Sequence, residues 1–255
     1  MKWKTSITKV EPNHLVTKGY RQEDLIGSVP FPSVVYLLLR GELPSEQAGK
    51  MIDAILTACI DHGVTPPSAI AARTVASGGV PLPTAVAAGV LSIGDAHGGA
   101  IEKGAKILQE GVVLMKKEKL TVDVVAERIV ASAKEQNRRL PGFGHRVHTA
   151  DPRTKRLFEL AQELGIAGDH VALSRVIEKR LEQTSGKPLP INVDGAIAAV
   201  ASDMGFDWRL GKAFFLLGRV AGLTAQVYEE QTQEKPMREM FSIDYEYTGP
   251  GERNL

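Results

Sequence analysis

Five side chains capable of chemistry stand where this sequence breaks its own pattern. His97 lies in Gly94-Asp95-Ala96-His97-Gly98-Gly99-Ala100, ahead of two glycines at a turn into a helix. His145 ends Leu140-Pro141-Gly142-Phe143-Gly144-His145, whose proline and glycines exclude ordinary helix. Arg153 follows Asp151-Pro152, an N-cap aspartate with proline at the first helical position, so it falls in a first helical turn. Asp194 closes Leu189-Pro190-Ile191-Asn192-Val193-Asp194, just before Gly195 and an apolar helical run. Arg219 interrupts an apolar helix at Gly218-Arg219-Val220-Ala221-Gly222. Arginines hold carboxylates through a planar fork of donors. Two histidines and a carboxylate can move a proton on and off carbon and oxygen. The set points to a carboxylate-bearing substrate.

Each residue also has a plainer reading. His97 can be an exposed histidine on a turn. His145 and His148 can be surface or capping residues, and Arg153 a solvated arginine on a helix face. Asp194 can simply cap the next helix. Arg219, in an apolar stripe, needs a carboxylate partner, supplied either by the protein or by a ligand. Each motif alone is weak, and the case rests on their combination.

Several functions are disfavoured. With 31 basic and 30 acidic residues, the chain carries no excess charge for nucleic acid or an anionic membrane. Local basic clusters can still hold a phosphorylated small molecule. Paired cysteines, a His-x-x-x-His pair and clustered carboxylates with ligand spacing are absent, so no metal is expected. Walker, Rossmann and serine-elbow glycine motifs are absent as well. The one cysteine, Cys59, sits in an apolar helical pattern and reads as core. It fits a reducing compartment. The N-terminus lacks the apolar segment of a secretion signal, and no apolar run spans a membrane. A cytoplasmic protein is expected.

The elements that must position these groups are nearly all helical. Residues 1–30 are weakly periodic and predict short strands and turns. Val34-Val35-Tyr36-Leu37-Leu38-Leu39 is an apolar run stopped by Gly41. Ser45 caps a helix whose apolar face carries Met51, Ile52, Ile55, Leu56, Cys59 and Ile60, with Gly63 as its predicted end. Residues 68–77 and 84–94, rich in alanine, predict closely packed core helices. Further helices are expected after Gly98-Gly99, after Thr121, over 152–165 and 169–183, after Asp194, and over 209–231. The tail from Lys235 is expected to be irregular. The fold class is all-α.

Taken in order, these motifs resemble the citrate synthase superfamily. Leu38-Leu39-Arg40-Gly41-Glu42-Leu43-Pro44, His97-Gly98-Gly99-Ala100, Gly142-Phe143-Gly144-His145 with Asp151-Pro152-Arg153, Asn192-Val193-Asp194-Gly195 and Tyr247-Thr248-Gly249-Pro250 carry the likeness over residues 24 to 250. Within the superfamily, Leu91-Ser92-Ile93-Gly94-Asp95 and Leu216-Leu217-Gly218-Arg219 look most like the citryl-CoA lyases and the lyase module of ATP citrate lyases. The resemblance implies a large helical domain from residues 1–104 and 200–255, and a smaller one from 105–199. It implies cleavage of (3S)-citryl-CoA to acetyl-CoA and oxaloacetate, with His97, His145 and Asp194 catalytic. Arg153 and Arg219 would bind substrate carboxylates, and Leu140, Pro141, Gly142, Phe143 and Gly144 would carry coenzyme A. No cofactor is expected beyond the coenzyme A of the substrate. A homodimer or higher homo-oligomer is implied, and a citryl-CoA synthetase is a conceivable partner. Two departures stand out. Ser242-Ile243-Asp244 replaces the Arg-Pro-Arg of many bacterial citrate synthases, which makes Arg238 the substitute carboxylate ligand. Ile101 replaces the asparagine common after His-Gly-Gly-Ala, which speaks against a citrate synthase more than against a lyase. The alternatives are a citrate or 2-methylcitrate synthase, and a non-catalytic subunit that binds coenzyme A or citrate.

Overall fold

The computed structural model describes residues 3–144, 151–238, 244 and 246–254. Three short strands, β1 (Thr8–Glu11), β2 (His14–Thr17) and β3 (Tyr20–Arg21), form an antiparallel sheet in the order β1-β2-β3, with Val10 opposite Leu15. Asn13 makes the first turn with φ of 57°, a conformation asparagine tolerates. The remaining elements are helical: α1 (Gln22–Leu25), α2 (Phe31–Arg40), α3 (Glu46–Ala58), α4 (Pro67–Ser77), α5 (Leu82–Leu91), α6 (Ala100–Glu118), α7 (Val122–Glu135), α8 (Pro152–Glu163), α9 (Asp169–Ser185), α10 (Val193–Asp203) and α11 (Gly211–Gln233). A 3₁₀ turn over Trp208–Leu210 leads into α11.

The helix starts follow their caps. Ser45 accepts from the Ala48 amide and Thr121 from the Val124 amide. Asp151 caps α8 through the Arg153 amide, with Pro152 at its first position. One helix ends early. α3 stops at Ala58 rather than running to Gly63. The break turns the Cys59 carbonyl out of the helical ladder and onto Arg219, while Asp61 bonds the Gly63 amide.

Two apolar cores organise the helices. The larger one joins α3, α6, α7, α8, α9, α10 and, through Phe214 and Phe215, α11; the smaller one joins α4, α5 and α11 through Ala72, Ala76, Ala85, Leu223 and Val227. α10 is buried along almost its whole length, as its Ala, Ile and Val content demands. α11 lies hard against the end of α3, because Gly218 and Gly222 bring its backbone onto the carbonyls of Leu56 and Ile60. A methyl group at either glycine would collide with those carbonyls. Arg219, between the two glycines, is thereby placed under the broken end of α3. Residues 105 and 199, the expected boundaries of a smaller lobe, fall inside α6 and α10. Among the described residues, no helix is long and apolar enough to cross a membrane.

Candidate active site

His97, Arg153, Asp194 and Arg219 come together around one cavity of about 490 Å³. They arrive from four separate places: the turn before α6, the first turn of α8, the first turn of α10 and the middle of α11. Gly144 also lines this cavity. His145 lies outside the described residues, as does His148.

The turn carrying His97 is closed by paired backbone bonds, Gly94 N–H to His97 O and His97 N–H to Gly94 O, each 3.0 Å. Asp95 at its tip is tied to Lys212 at 2.7 Å and to Lys103 at 3.1 Å. The imidazole is half-buried, edge-on to Phe215 at 5.2 Å. Its Nε2 is 2.8 Å from Ser68 Oγ. Burial, and then the Arg219 charge, hold the His97 pKa below the usual histidine range, so the ring is neutral at pH 7.

Arg219 is buried at 3% exposure. Its Nε donates to the Cys59 carbonyl at 3.0 Å, and Nη1 makes a long contact to Ser68 Oγ at 3.5 Å. The guanidinium carbon lies over the Phe215 ring at 4.7 Å. Among the described residues, no carboxylate lies within ion-pair distance of it. Burial pulls its pKa down, with Asp61 the main opposing charge. A cationic fork has been buried in the protein without an anion to match it. Cys59, beside it, is a buried free thiol whose pKa burial pushes up to about 12, which makes it inert.

Arg153 is fixed from behind. Asp151 takes Nε at 3.1 Å and Nη2 at 2.9 Å, and also accepts the Arg153 and Val193 amides. Burial works to raise the Asp151 pKa, but the Arg153 contacts and the Val193 amide outweigh it, so it stays ionised. Asp194 is not the helix cap. Asn192 caps α10 through the Gly195 amide at 3.1 Å, which leaves Asp194 in the first turn facing the cavity. Burial raises the Asp194 pKa above the ordinary aspartate range, with Arg153 and Arg219 pulling the other way.

Within the protein, the stretch 140–144 is held backbone to backbone. Gly142 and Gly144 bond to the extended segment before α10, through Asn192 N–H to Gly142 O at 3.0 Å and Gly144 N–H to Pro190 O at 2.7 Å. The Asn192 side chain adds a bond to Gly144 O at 2.8 Å. Gly142, at φ of 87°, lies against Gly195, and a Cβ there would sit 2.7 Å from the Gly195 Cα. These glycines therefore serve protein-to-protein contact and place Asp194 beside the stretch. Leu140 is core, and Phe143 packs against core beside it.

Arg238 is not on the cavity wall of its own chain. Its guanidinium forks onto Glu230 at 2.6 Å on both contacts and pairs with Glu234 at 3.0 Å. Glu230 is fully buried and also takes Arg73 at 2.8 Å. Two site residues escaped the sequence reading. His62 lines the cavity, in Asp61-His62-Gly63 after the break in α3. Ser68 orients His97 from the first turn of α4, where Pro66-Pro67-Ser68 could have marked a serine at a helix start.

Comparison with known proteins places the whole chain. The family model for the citrate synthase C-terminal domain matches residues 45–240. The citryl-CoA lyase structure from Hydrogenobacter thermophilus is 48% identical with a TM-score of 0.90, covering 99% of this chain and 97% of that one. The ATP citrate lyase structure from Methanothrix soehngenii shares the fold, with a TM-score of 0.84 at 22% identity over 99% of this chain and 42% of that one. The Citrate/2-methylcitrate synthase of Bacillus subtilis (strain 168) is 31% identical over 84% of this chain and 55% of its own length. The chain thus spans about half the length of the curated relatives it matches. On the family model and the matched helical fold, the chain belongs to the citrate synthase family.

Proposed function

We propose that this chain cleaves (3S)-citryl-CoA to acetyl-CoA and oxaloacetate. The observation that carries the reading is the buried Arg219 fork, unmatched by any carboxylate among the described residues, opening with Arg153 onto the cavity that holds His97 and Asp194. Citryl-CoA brings the missing anions. The 48% identity to a citryl-CoA lyase supports the choice of substrate.

The steps follow from the groups present. Arg219 and Arg153 hold the carboxylates of the citryl group. His145, assigned by the sequence motif, takes the hydroxyl proton. The C–O bond becomes a carbonyl, the C–C bond breaks, and its electron pair passes into the thioester as an enolate. His97 meets the charge on the thioester oxygen. In this mechanism the Ser68 oxygen accepts from Arg219, which only donates, and gives its own proton to His97 Nε2. That leaves Nδ1–H as the imidazole's donor, on a neutral ring, aimed at developing negative charge. Asp194, whose pKa burial raises, acts in its protonated form and returns a proton to the enolate carbon, giving acetyl-CoA. No water is consumed. Residues 105–199 act as a smaller lobe closing over coenzyme A, which lies along Leu140–Gly144. The working assembly is a homo-oligomer. Arg238 acts on substrate only if it leaves Glu230 for a partner subunit's site.

A synthase reading is favoured by the 31% identity to the Bacillus subtilis enzyme. Against it, residue 101 supplies no polar group: Ile101 is fully buried in the first turn of α6. The lyase reading is tested by giving the purified chain citryl-CoA and measuring oxaloacetate. Wild type should form it, and Asp194→Asn should not. Absence of oxaloacetate from the wild-type reaction would overturn the proposal.

A further inference from the structure

We infer that Glu178, outside the cavity, is a positioning residue that sets the segment carrying Asp194 by holding the Ile191 amide from α9. The inference rests on the reading of Asp194 as the proton donor. Glu178 Oε1, on α9, accepts from the Ile191 N–H at 2.7 Å, thirteen residues further along the chain.

The backbone pattern explains why this bond is needed. Residues 190–192 pair with 142–144 through the Pro190 carbonyl and the Asn192 amide. Ile191 lies opposite Phe143 in that bridge, so its own N–H points away from the pair. Pro190 has no N–H. The Ile191 N–H is therefore the one backbone donor of residues 190–192 facing away from that pairing, and its residue is 2% exposed. Left unmade, such a bond is costly. The neighbouring amides are also held. Asn192 N–H goes to Gly142, Val193 N–H to Asp151 at 3.3 Å, and Gly195 N–H to the Asn192 side chain. The approach to Asp194 is thus fixed amide by amide.

Glu178 differs from the other holders. Asp151 also fixes Arg153, and Asn192 also caps α10, so removing either disturbs the cavity directly. Glu178 does not line the cavity. The cations near it are engaged elsewhere: Arg175 lies over the Phe158 ring at 4.9 Å, and Lys155 is 3.8 Å from Glu159. Among the described residues, the Ile191 amide is its hydrogen-bond partner. A carboxylate accepting an amide makes a charge-assisted bond, stronger than a neutral one. A small slip of Asp194 relative to the enolate carbon is expensive in rate and leaves ground-state binding alone.

The test compares wild type, Glu178→Gln and Glu178→Leu. Amide exchange and the amide shift of Ile191 are read by NMR, together with kcat and KM for citryl-CoA. In Glu178→Leu, Ile191 exchange should quicken about tenfold or more. The kcat should fall about tenfold or more, with KM within about threefold of wild type. Glu178→Gln, which keeps an acceptor, should recover most of both. An Ile191 amide indifferent to Glu178→Leu overturns the tie, whatever the activity. A loosened amide with unchanged kcat overturns the positioning role. So does a loss of fold and activity in both variants. A loosened amide in a chain whose wild type cleaves no citryl-CoA upholds the tie and counts against the lyase reading alone.

Discussion

Replacing Arg219 by methionine separates a substrate-binding arginine from a structural one. Its guanidinium is buried, bonded to the Cys59 carbonyl at 3.0 Å and, at long range, to Ser68, with no carboxylate in reach among the described residues. A substrate carboxylate on this fork would make two charge-assisted bonds, each worth about 1.5–3 kcal/mol. Losing both costs about 3–6 kcal/mol, and at about 1.4 kcal/mol per decade kcat/KM should fall roughly 10²- to 10⁴-fold. The free protein should barely notice. Methionine retains the apolar stem, and the carbonyl left without its donor costs about 1–3 kcal/mol. Relief of a desolvated charge offsets much of that loss. The assay is kcat/KM for citryl-CoA, with Tm measured with and without oxaloacetate. Wild type should show a Tm rise with ligand that Arg219→Met lacks. A kcat/KM within about threefold of wild type, or a collapse of Tm without ligand, would refute the reasoning.

Other outcomes follow from the same geometry. Asp194 must be protonated to act in cleavage and ionised to act in condensation. Cleavage should therefore decline, and condensation rise, as pH increases through its raised pKa, and Asp194→Asn should abolish both limbs. Its folded pKa lies above the unfolded one, so its stability contribution is full at low pH and lost as pH rises through the folded value. Asp194→Asn should accordingly raise Tm at pH 7 in calorimetry while activity disappears. Ser68→Ala frees the His97 ring and should lower kcat about ten- to a hundredfold with the oxaloacetate KM little changed, as steady-state kinetics would show. Gly142→Ala puts a methyl group 2.7 Å from the Gly195 Cα at a positive φ and should cost about 1–3 kcal/mol, seen as a lower thermal midpoint.

What the sequence made legible was whatever depended on local signals. Asp151-Pro152 marked the start of α8 and so placed Arg153 in a first turn. Alanine-rich spacing marked α4 and α5, and helical period marked the face of α3. What it hid depended on distant segments meeting. Asp194 has two readings in the sequence, a catalytic group or a helix cap, because a carboxylate before an apolar helix usually is a cap. Asn192, two residues earlier, takes that role instead, and only its bond to the Gly195 amide reveals it. The end of α3 was misplaced because its break answers to Arg219, 160 positions along the chain. Gly142 signalled a close approach correctly, but the approaching group is the Gly195 backbone. Ser68 and His62 carry no distinctive spacing, and their roles exist only once α4 and the end of α3 are folded around His97.

The reaction is tested most directly by the fate of coenzyme A when the purified chain is given (3S)-citryl-CoA. Mass-resolved products should be acetyl-CoA and oxaloacetate in equal amounts, with negligible free coenzyme A. Citrate and free coenzyme A in their place, or no turnover at all, would contradict cleavage by this cavity.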